Sequence, residues 1–155
     1  MHPLLTSWFK SKKWKPFPFQ KDTWKAYQNG HSGLLHAPTG HGKTLAVYLG
    51  ALSETLEEKG PDLTDRQVKL LGCQIIWITP LRALASDTVQ ALRSPIEDLR
   101  LTLTVDARTG DTSSYRKAKL RETFPYCLVT TPESLSLLLT YPDTKEKLSK
   151  VKCIV

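Results

Sequence analysis

Cysteine is scarce in this sequence, and long apolar runs are absent. The 155 residues contain three cysteines, Cys73, Cys127 and Cys153, which lie in apolar segments without paired spacing. This odd number argues against a disulfide scaffold and a zinc site, and it favours reduced thiols in a cytosolic core. No segment has the length and apolar character of a signal peptide or a bilayer span. We therefore expect a soluble cytoplasmic protein with no membrane partner.

Negative charge is in the minority. The chain has 15 Asp and Glu residues against 22 Lys and Arg residues, so its formal net charge is +7 at pH 7. Such a surplus favours polyanionic partners, nucleic acid among them. Internal repeats and low-complexity tracts are also lacking, and the length fits one domain with a real core. The composition suggests one boundary, between a basic, aromatic lead-in at residues 1–24 and a domain at residues 25–155.

A glycine-containing segment after an apolar run carries the clearest chemical signal. Residues 37–44 read Ala-Pro-Thr-Gly-His-Gly-Lys-Thr, a pattern typical of phosphate-binding loops. The glycines let successive N–H groups point at one anion, and the following helix adds its positive end. In this pattern the lysine reaches the β- and γ-phosphates and the last threonine holds Mg²⁺, which makes Lys43 and Thr44 the catalytic members. The predicted nucleotide-binding residues are Thr39, Gly40, His41, Gly42, Lys43 and Thr44.

Apolar runs alternate with helical patterns along the whole chain. This alternation favours parallel βαβ units, hence an α/β fold with a mainly parallel sheet flanked by helices. The predicted strands are residues 33–37, 73–79, 101–107, 126–131 and 152–155. Helices are predicted at residues 45–56, 81–92, 113–121 and 133–140, and a loop with some helix at residues 61–71.

Two Thr-Pro steps stand where a predicted strand becomes a helix, at Thr79 and at Thr131. Proline suits the first helical turn, and the free N–H groups beside it can bind phosphates of a nucleic-acid strand. Between them, an Arg-Thr-Gly-Asp segment follows a third strand, and Gly110 allows close approach of the backbone. Either Thr-Pro step alone would indicate only a helix cap. Both together, downstream of a phosphate loop, favour contact with nucleic acid.

These segments resemble the motifs of superfamily 2 helicases, and within them the large helicase-related group that includes ligase-associated DExH-box helicases. Residues 37–44 match the family's motif I, residues 79–85 its motif Ia and residues 131–134 its motif Ib, while residues 108–112 are similar to the group's nucleic-acid loop. The resemblance implies an ATP-dependent translocase that moves 3′-to-5′ on single-stranded or tailed DNA and is built from two RecA-like domains. The nucleic-acid contacts expected are Thr79, Pro80, Arg82, Arg108, Thr109, Gly110, Thr131, Pro132, Glu133 and Ser134.

The ligase-associated branch further implies a bacterial DNA-repair role, DNA ligase and nuclease partners, and association with the nucleoid. RNA in place of DNA remains open. A P-loop small-molecule kinase would explain motif I but not the Thr-Pro steps, and a non-catalytic nucleic-acid module would leave Lys43 and Thr44 idle. The resemblance also places the carboxylates of motif II beyond Val155. We therefore expect this chain alone to bind nucleotide weakly and not to hydrolyse it.

An aromatic segment upstream of motif I, Phe-Pro-Phe-Gln, resembles the glutamine motif of these enzymes. The amide of Gln20 can present a donor and an acceptor together to the edge of adenine, which would explain selectivity for ATP. The alternative is that Gln20 is an ordinary polar residue at the start of a helix. Either Phe17 or Trp14 could stack on the base, and the sequence does not decide between them.

Two groups of basic residues give a weaker signal. The lysines and aromatic residues at positions 8–15 are consistent with stacking of single-stranded bases, but tryptophans near a domain edge usually pack against the body. A second group is consistent with a solvated helix face, although contact with backbone phosphates stays open. This second group comprises Arg116, Lys117, Lys119 and Arg121.

Overall fold

Four parallel strands form the central sheet of the protein, in the order β2-β3-β1-β4. The computed structural model describes residues 1–38 and 40–155. Ile78, Thr130 and Arg108 pair side by side, so three of the strands end at one edge of the sheet. The predicted α/β class with a parallel sheet is thereby confirmed. The strands are β1 (Ile75–Ile78), β2 (Val105–Arg108), β3 (Cys127–Thr130) and β4 (Cys153–Ile154).

Helices connect and cover these strands, and the local sequence explains where several of them begin. One starts directly after Gly42, whose backbone is left-handed, and ends at Gly60. Thr64 and Gln67 form a capping box at the start of the next. The helices are α1 (Pro3–Ser11), α2 (Pro18–Gln28), α3 (Lys43–Lys59), α4 (Asp65–Leu71), α5 (Arg82–Asp98), α6 (Ser114–Glu122), α7 (Pro132–Leu139) and α8 (Thr144–Lys147). Among those described, no helix combines the length and apolar character needed to cross a membrane.

The strands alternate their side chains between two apolar layers. Ile75 and Val129 belong to the larger layer, which α1, α3 and α5 complete with residues such as Leu92. Leu128 belongs to the smaller layer, together with Leu138 of α7. A parallel sheet with both faces covered is the arrangement that near-continuous apolar strands favour, because every strand residue then removes apolar surface from water.

The aromatic lead-in packs onto the domain. Trp8 and Phe9 of α1 are buried in the larger apolar layer, and the Trp8 indole Nε1 donates a 2.8 Å hydrogen bond to the Asp98 carboxylate on α5. Helix α2 includes Trp24, which is buried, and continues beyond it to Gln28. The boundary drawn from composition after residue 24 therefore falls inside one helix and does not coincide with a break in the structure.

The prediction of a strand at residues 33–37 is wrong, since this segment has no regular secondary structure. Leu34, which the pattern placed inside a buried strand, is 96% exposed. A strand needs a neighbour to satisfy its backbone, and β4 is the end strand of the sheet on this side. A groove of about 930 Å³, lined both by residues 30–35 and by residues 152–155, lies between the segment and β4. The segment therefore has the apolar composition of a strand, but no neighbouring strand to pair with among the described residues.

Candidate nucleotide and nucleic-acid site

Gly40, His41 and Gly42, from the segment that resembles motif I, form a tight turn at the start of α3. Gly40 and Gly42 both have left-handed backbones, with φ of 78° and 76°, a conformation that glycine adopts without steric cost. Lys43 begins α3, and its ammonium group donates to the carbonyl oxygens of Ala37 at 2.6 Å and Pro38 at 2.7 Å. Lys43 and Thr44 also line the large groove beside β4.

The other predicted members of this loop are placed as follows. Thr39 lies outside the described residues. His41 is exposed at the turn, and its ring lies 5.9 Å from that of Phe17, centroid to centroid. The structure thus brings Gly40, Gly42 and Lys43 together at a helix N-terminus, where backbone N–H groups and the helix dipole favour an anion.

Gln20 holds this loop from the side of α2. The side chain is 3% exposed. Its Nε2 donates to the Gly42 carbonyl at 3.0 Å, and its Oε1 accepts from the Phe17 amide at 2.9 Å. Both amide atoms therefore have partners within the chain, and recognition of adenine by Gln20 stays a prediction. The bond to Phe17 agrees with the alternative of a polar residue at a helix start, whereas the bond to the loop was not predicted.

The two aromatic candidates for base stacking differ in their surroundings. Trp14 packs edge to face against Trp8 at 5.6 Å and against Phe9 at 6.1 Å. Phe17 stacks on Phe19 at 5.8 Å and is 46% exposed beside the loop. Phe17 is thus the candidate that lies next to the nucleotide loop, whereas Trp14 belongs to the cluster formed with α1.

The three strand-end segments meet at one edge of the sheet. The Thr79 amide donates to the Thr130 carbonyl at 2.9 Å, and the Thr130 hydroxyl donates to the Arg108 carbonyl at 2.8 Å. These bonds tie the ends of β1, β3 and β2 together. Thr79 and Thr131 are themselves buried. A ligand at this edge would therefore meet the backbone at the start of the following helix more readily than the threonine hydroxyl.

Arg82 links two of these segments across the edge. Its Nη1 lies 3.0 Å from the Asp111 carboxylate, with both side chains mostly exposed. A Cβ on Gly110 would stand 2.5 Å from the Arg82 guanidinium carbon, so glycine at this position leaves room for the arginine. The pKa of the Glu133 carboxyl is lowered by a hydrogen bond from the Glu133 backbone amide and by one from the Thr131 hydroxyl. The charge of Arg82 lowers it further. Arg82 therefore lies beside Gly110 and Asp111. That Arg82, Thr109, Gly110 and Thr131 form one strand-binding surface stays a prediction.

Arg108 and Ser134 are not on that surface. Arg108 is 2% exposed, and its Nη1 donates to the Ser134 carbonyl at 2.9 Å and hydroxyl at 3.0 Å. The arrangement explains how β2 is joined to α7. Contact of either residue with nucleic acid stays a prediction.

The basic residues of α6 do not form one uniform solvated face. Arg116 pairs with the Asp106 carboxylate through two contacts of 2.7 Å and 2.8 Å. Lys117 turns the other way, and its ammonium group donates to the Gly110 carbonyl at 2.8 Å. Lys119 is exposed. The bond from Lys117 fixes the Arg-Thr-Gly-Asp loop, a role that residue type and spacing alone did not reveal.

Comparison with known proteins assigns these motifs to one family. The model of the DEAD/DEAH box helicase family matches residues 17–155. The ATP-dependent helicase Lhr-Core of Sulfolobus acidocaldarius is 38% identical over 160 residues, which cover 99% of this chain and 18% of that protein. The Lhr helicase/uracil glycosylase of Escherichia coli is 34% identical over 163 residues, which cover 99% of this chain and 10% of that protein. The chain thus spans less than a fifth of the length of these relatives.

A solved structure has the same fold. It is that of Mycobacterium smegmatis helicase Lhr bound to ssDNA and AMP-PNP, with a TM-score of 0.82 and 35% identity, covering 98% of this chain and 19% of that one. This likeness confirms the RecA-like α/β fold. Because the family match runs from the glutamine segment through β4 and includes the phosphate loop and all three strand-end segments, the chain belongs to the DEAD/DEAH box helicase family.

Proposed function

We propose that the protein is an ATP-dependent DNA helicase or translocase, and that this chain supplies the nucleotide-binding part of its first motor domain. One observation carries the proposal. A phosphate loop at the start of α3 and a linked set of strand-end segments that includes Arg82, Gly110 and Thr131 occur in one parallel α/β domain. Coupling of nucleotide hydrolysis to movement along a strand needs both sites in one body.

The phosphate loop fits ATP by its chemistry. The left-handed Gly42 has no room for a side chain, since an added Cβ would stand only 2.8 Å from the Gln20 amide nitrogen. When phosphate binds, Lys43 would exchange its bonds to the Ala37 and Pro38 carbonyls for bonds to phosphate oxygens, which are stronger because both partners are charged. Thr44 is half-buried in the first turn of α3, where its hydroxyl would be a ligand for Mg²⁺. The remaining predicted loop residues, Thr39, Gly40 and His41, would surround the phosphates through their backbone.

The nucleic-acid surface is proposed at the shared edge of β1, β2 and β3. Phosphate contacts there would come from Arg82 and from backbone N–H groups at the starts of α5 and α7, with Gly110 allowing close approach. Glu133 is exposed at the first turn of α7. As an anion it would orient Arg82 more readily than it would meet a phosphate. Single-stranded or tailed DNA is the proposed substrate, with movement in the 3′-to-5′ direction.

The relatives support this choice of substrate. The Mycobacterium smegmatis protein is described in complex with ssDNA and AMP-PNP, and the archaeal and bacterial relatives carry names that say helicase. A DNA-repair role, DNA ligase and nuclease partners, and association with the nucleoid are proposed only by the resemblance to the ligase-associated branch.

The test uses the complete protein. Lys43→Ala should abolish hydrolysis of ATP stimulated by single-stranded DNA, because the phosphates lose their main charged partner, while circular dichroism remains that of the native protein. Lys59→Ala is the matched control, since Lys59 is exposed at the other end of the same helix. Hydrolysis should be measured with DNA, with RNA and without nucleic acid. Stimulation by RNA alone would replace the DNA assignment. Unchanged turnover in Lys43→Ala, or phosphorylation of nucleoside monophosphates by the unmodified protein, would overturn the proposal.

A further inference from the structure

A small groove lies between α6 and α7, beside the end of β2. Its volume is about 190 Å³. Helix α6 presents residues spaced three or four apart to it, which is the spacing of one helix face. The groove is lined by Arg108, Ser114, Lys117, Ala118, Arg121, Leu137 and Tyr141, a set with three cations and no carboxylate.

Arg108 is a buried cation without a counterion. The side chain is 2% exposed, and its Nη1 is bonded to Ser134. Its Nε is buried and has no hydrogen-bond partner among the described residues, and no carboxylate in that part of the chain lies within 4.0 Å of its guanidinium. Burial lowers the pKa of Arg108, and the charge of Arg121 lowers it further, against the opposite effect of Tyr141. A buried charge of this kind is normally paired, because removal from water is costly.

Lys117 and Arg121, the two groove-lining cations on α6, also have no ion pair with any carboxylate that the structure describes. Lys117 bonds to the Gly110 carbonyl at 2.8 Å, and the Arg121 guanidinium lies 4.3 Å from the centroid of the Tyr141 ring. Asp143 is near enough for Arg121 to lower the pKa of its carboxyl, but the larger cause is its hydrogen bond to Lys147, at 2.8 Å. No carboxylate among the described residues therefore forms an ion pair with the positive charges that face the groove.

The same helix offers a contrast. Arg116, adjacent in sequence to Lys117, does not line the groove and pairs with Asp106 at 2.7 Å. Absence of a carboxylate partner is thus a property of the groove-facing side of α6 and not of every arginine on this helix. This pattern points to a ligand that brings its own negative charge.

We propose that the groove binds a phosphate group, with Arg108 at its floor, Lys117 and Arg121 on its wall and the Ser114 hydroxyl at its rim. Guanidinium groups bind phosphate through paired N–H donors, and the ligand charge would offset that of the buried arginine. The 190 Å³ volume is below the range of about 300–1,000 Å³ that encloses drug-sized ligands. The site is therefore sized for the phosphate and not for a nucleoside attached to it. The phosphate belongs either to a nucleic-acid strand or to a free anion.

The experiment observes the groove directly by NMR on the 155-residue chain. The probes are inorganic phosphate and a short oligothymidylate without a terminal phosphate, each titrated into the Lys43→Ala variant so that the phosphate loop does not compete. The reporters are the side-chain N–H of Arg108 at Nε, which has no partner in the structure, and the backbone amides of α6. The test variant adds Lys117→Gln and Arg121→Gln. The matched control adds Lys119→Gln, which removes a neighbouring exposed charge outside the groove.

Saturable shifts of the Arg108 Nε–H and of α6 are expected with at least one probe. The apparent Kd should rise about tenfold or more in the double variant and stay within about twofold in the control. Response to oligothymidylate alone assigns the site to a nucleic-acid phosphate, and response to inorganic phosphate alone assigns it to a free anion. Shifts that do not saturate, or that the Lys119→Gln control weakens as much as the double variant does, would overturn the proposal. It depends on neither ATP nor hydrolysis, so its failure and that of the helicase assignment are separate results.

Discussion

The Gln20 side-chain nitrogen donates a 3.0 Å hydrogen bond to the carbonyl oxygen of Gly42. This contact joins the start of α2 to the last turn of the phosphate loop, over 22 positions of the chain. Since Gln20 is buried and its oxygen is held by the Phe17 amide, its position is fixed by contacts within the chain. The glutamine segment and the phosphate loop are therefore one structural unit.

Replacement of Gln20 by alanine separates support of the loop from recognition of the base. The substitution removes two hydrogen bonds, of which only the one to Gly42 holds the loop. Loss of that bond costs about 0.5–1.5 kcal/mol, so affinity for ATP should fall by roughly two- to twelvefold. If Gln20 serves only the loop, affinity for GTP will fall equally. If it also reads adenine, the preference for ATP over GTP will collapse. Both affinities can be measured by fluorescent-nucleotide displacement in the complete protein. Gln28→Ala, an exposed change at the end of the same helix, should alter neither.

Gly42 should not tolerate a side chain. Its φ of 76° is left-handed, and an added Cβ would lie 2.8 Å from the Gln20 nitrogen. Backbone strain of this kind costs about 1–3 kcal/mol. We expect Gly42→Ala to lower the free energy of unfolding by that amount and to weaken nucleotide binding. Gly33→Ala, where nothing lies within 4 Å and φ is not positive, should be close to neutral. Urea denaturation of both variants decides this, and equal stabilities would contradict the strained geometry.

Arg82 should contribute to binding of nucleic acid through charge. Its ion pair with Asp111 is largely exposed, so Arg82→Ala should leave the fold intact. We expect affinity for single-stranded DNA to weaken uniformly across sequences, and the slope of log affinity against log salt to decrease by about one for the lost phosphate contact. Arg66→Ala, an exposed change on α4, is the control. A wild-type slope in Arg82→Ala would mean that the segment from Thr79 is only a helix cap.

The sheet was largely predictable because its signal is local. Apolar runs define β1 and β3, and the Thr-Pro steps mark where those strands end, since proline begins a helical turn. The same logic failed at residues 33–37. Leu34 is an apolar residue of the kind that buried strands contain. The local sequence does not determine whether a neighbouring strand is available for pairing.

The sequence predicts which segments form the candidate site, but not what each side chain does there. Arg108 was predicted as a nucleic-acid contact at a strand end, yet it is buried and bonds to Ser134, 26 positions away on α7. Lys117 reads as part of a solvated face, yet its orientation is set by the Gly110 carbonyl. Such long-range pairings depend on how helices pack, which no local pattern specifies.

Alkaline pH should destabilise the protein through its buried thiols, and Cys73 offers the clearest test. Burial raises the pKa of Cys73 from 9.0 to about 12, while hydrogen bonds with backbone groups act in the opposite direction. The folded thiol thus keeps its proton where the unfolded thiol loses it. Because the unfolded state then binds fewer protons, the free energy of unfolding falls as pH rises above about 9 and continues to fall until about 12.

Two substitutions isolate this contribution. Serine keeps an O–H donor for the Ile75 carbonyl, which the Cys73 sulfur contacts at 3.3 Å, whereas alanine does not. Neither side chain ionises in this range, so both Cys73→Ser and Cys73→Ala should lose stability less steeply with alkaline pH than the unmodified chain. The slope of the free energy of unfolding against pH should differ between the unmodified chain and either variant by about 1.4 kcal/mol per pH unit once the unfolded thiol is ionised. Urea denaturation from neutral pH to about pH 10.5 measures it. Cys127 and Cys153 also have raised pKa values, so part of the slope should persist. If both variants retained the full slope, burial of Cys73 would not be the cause.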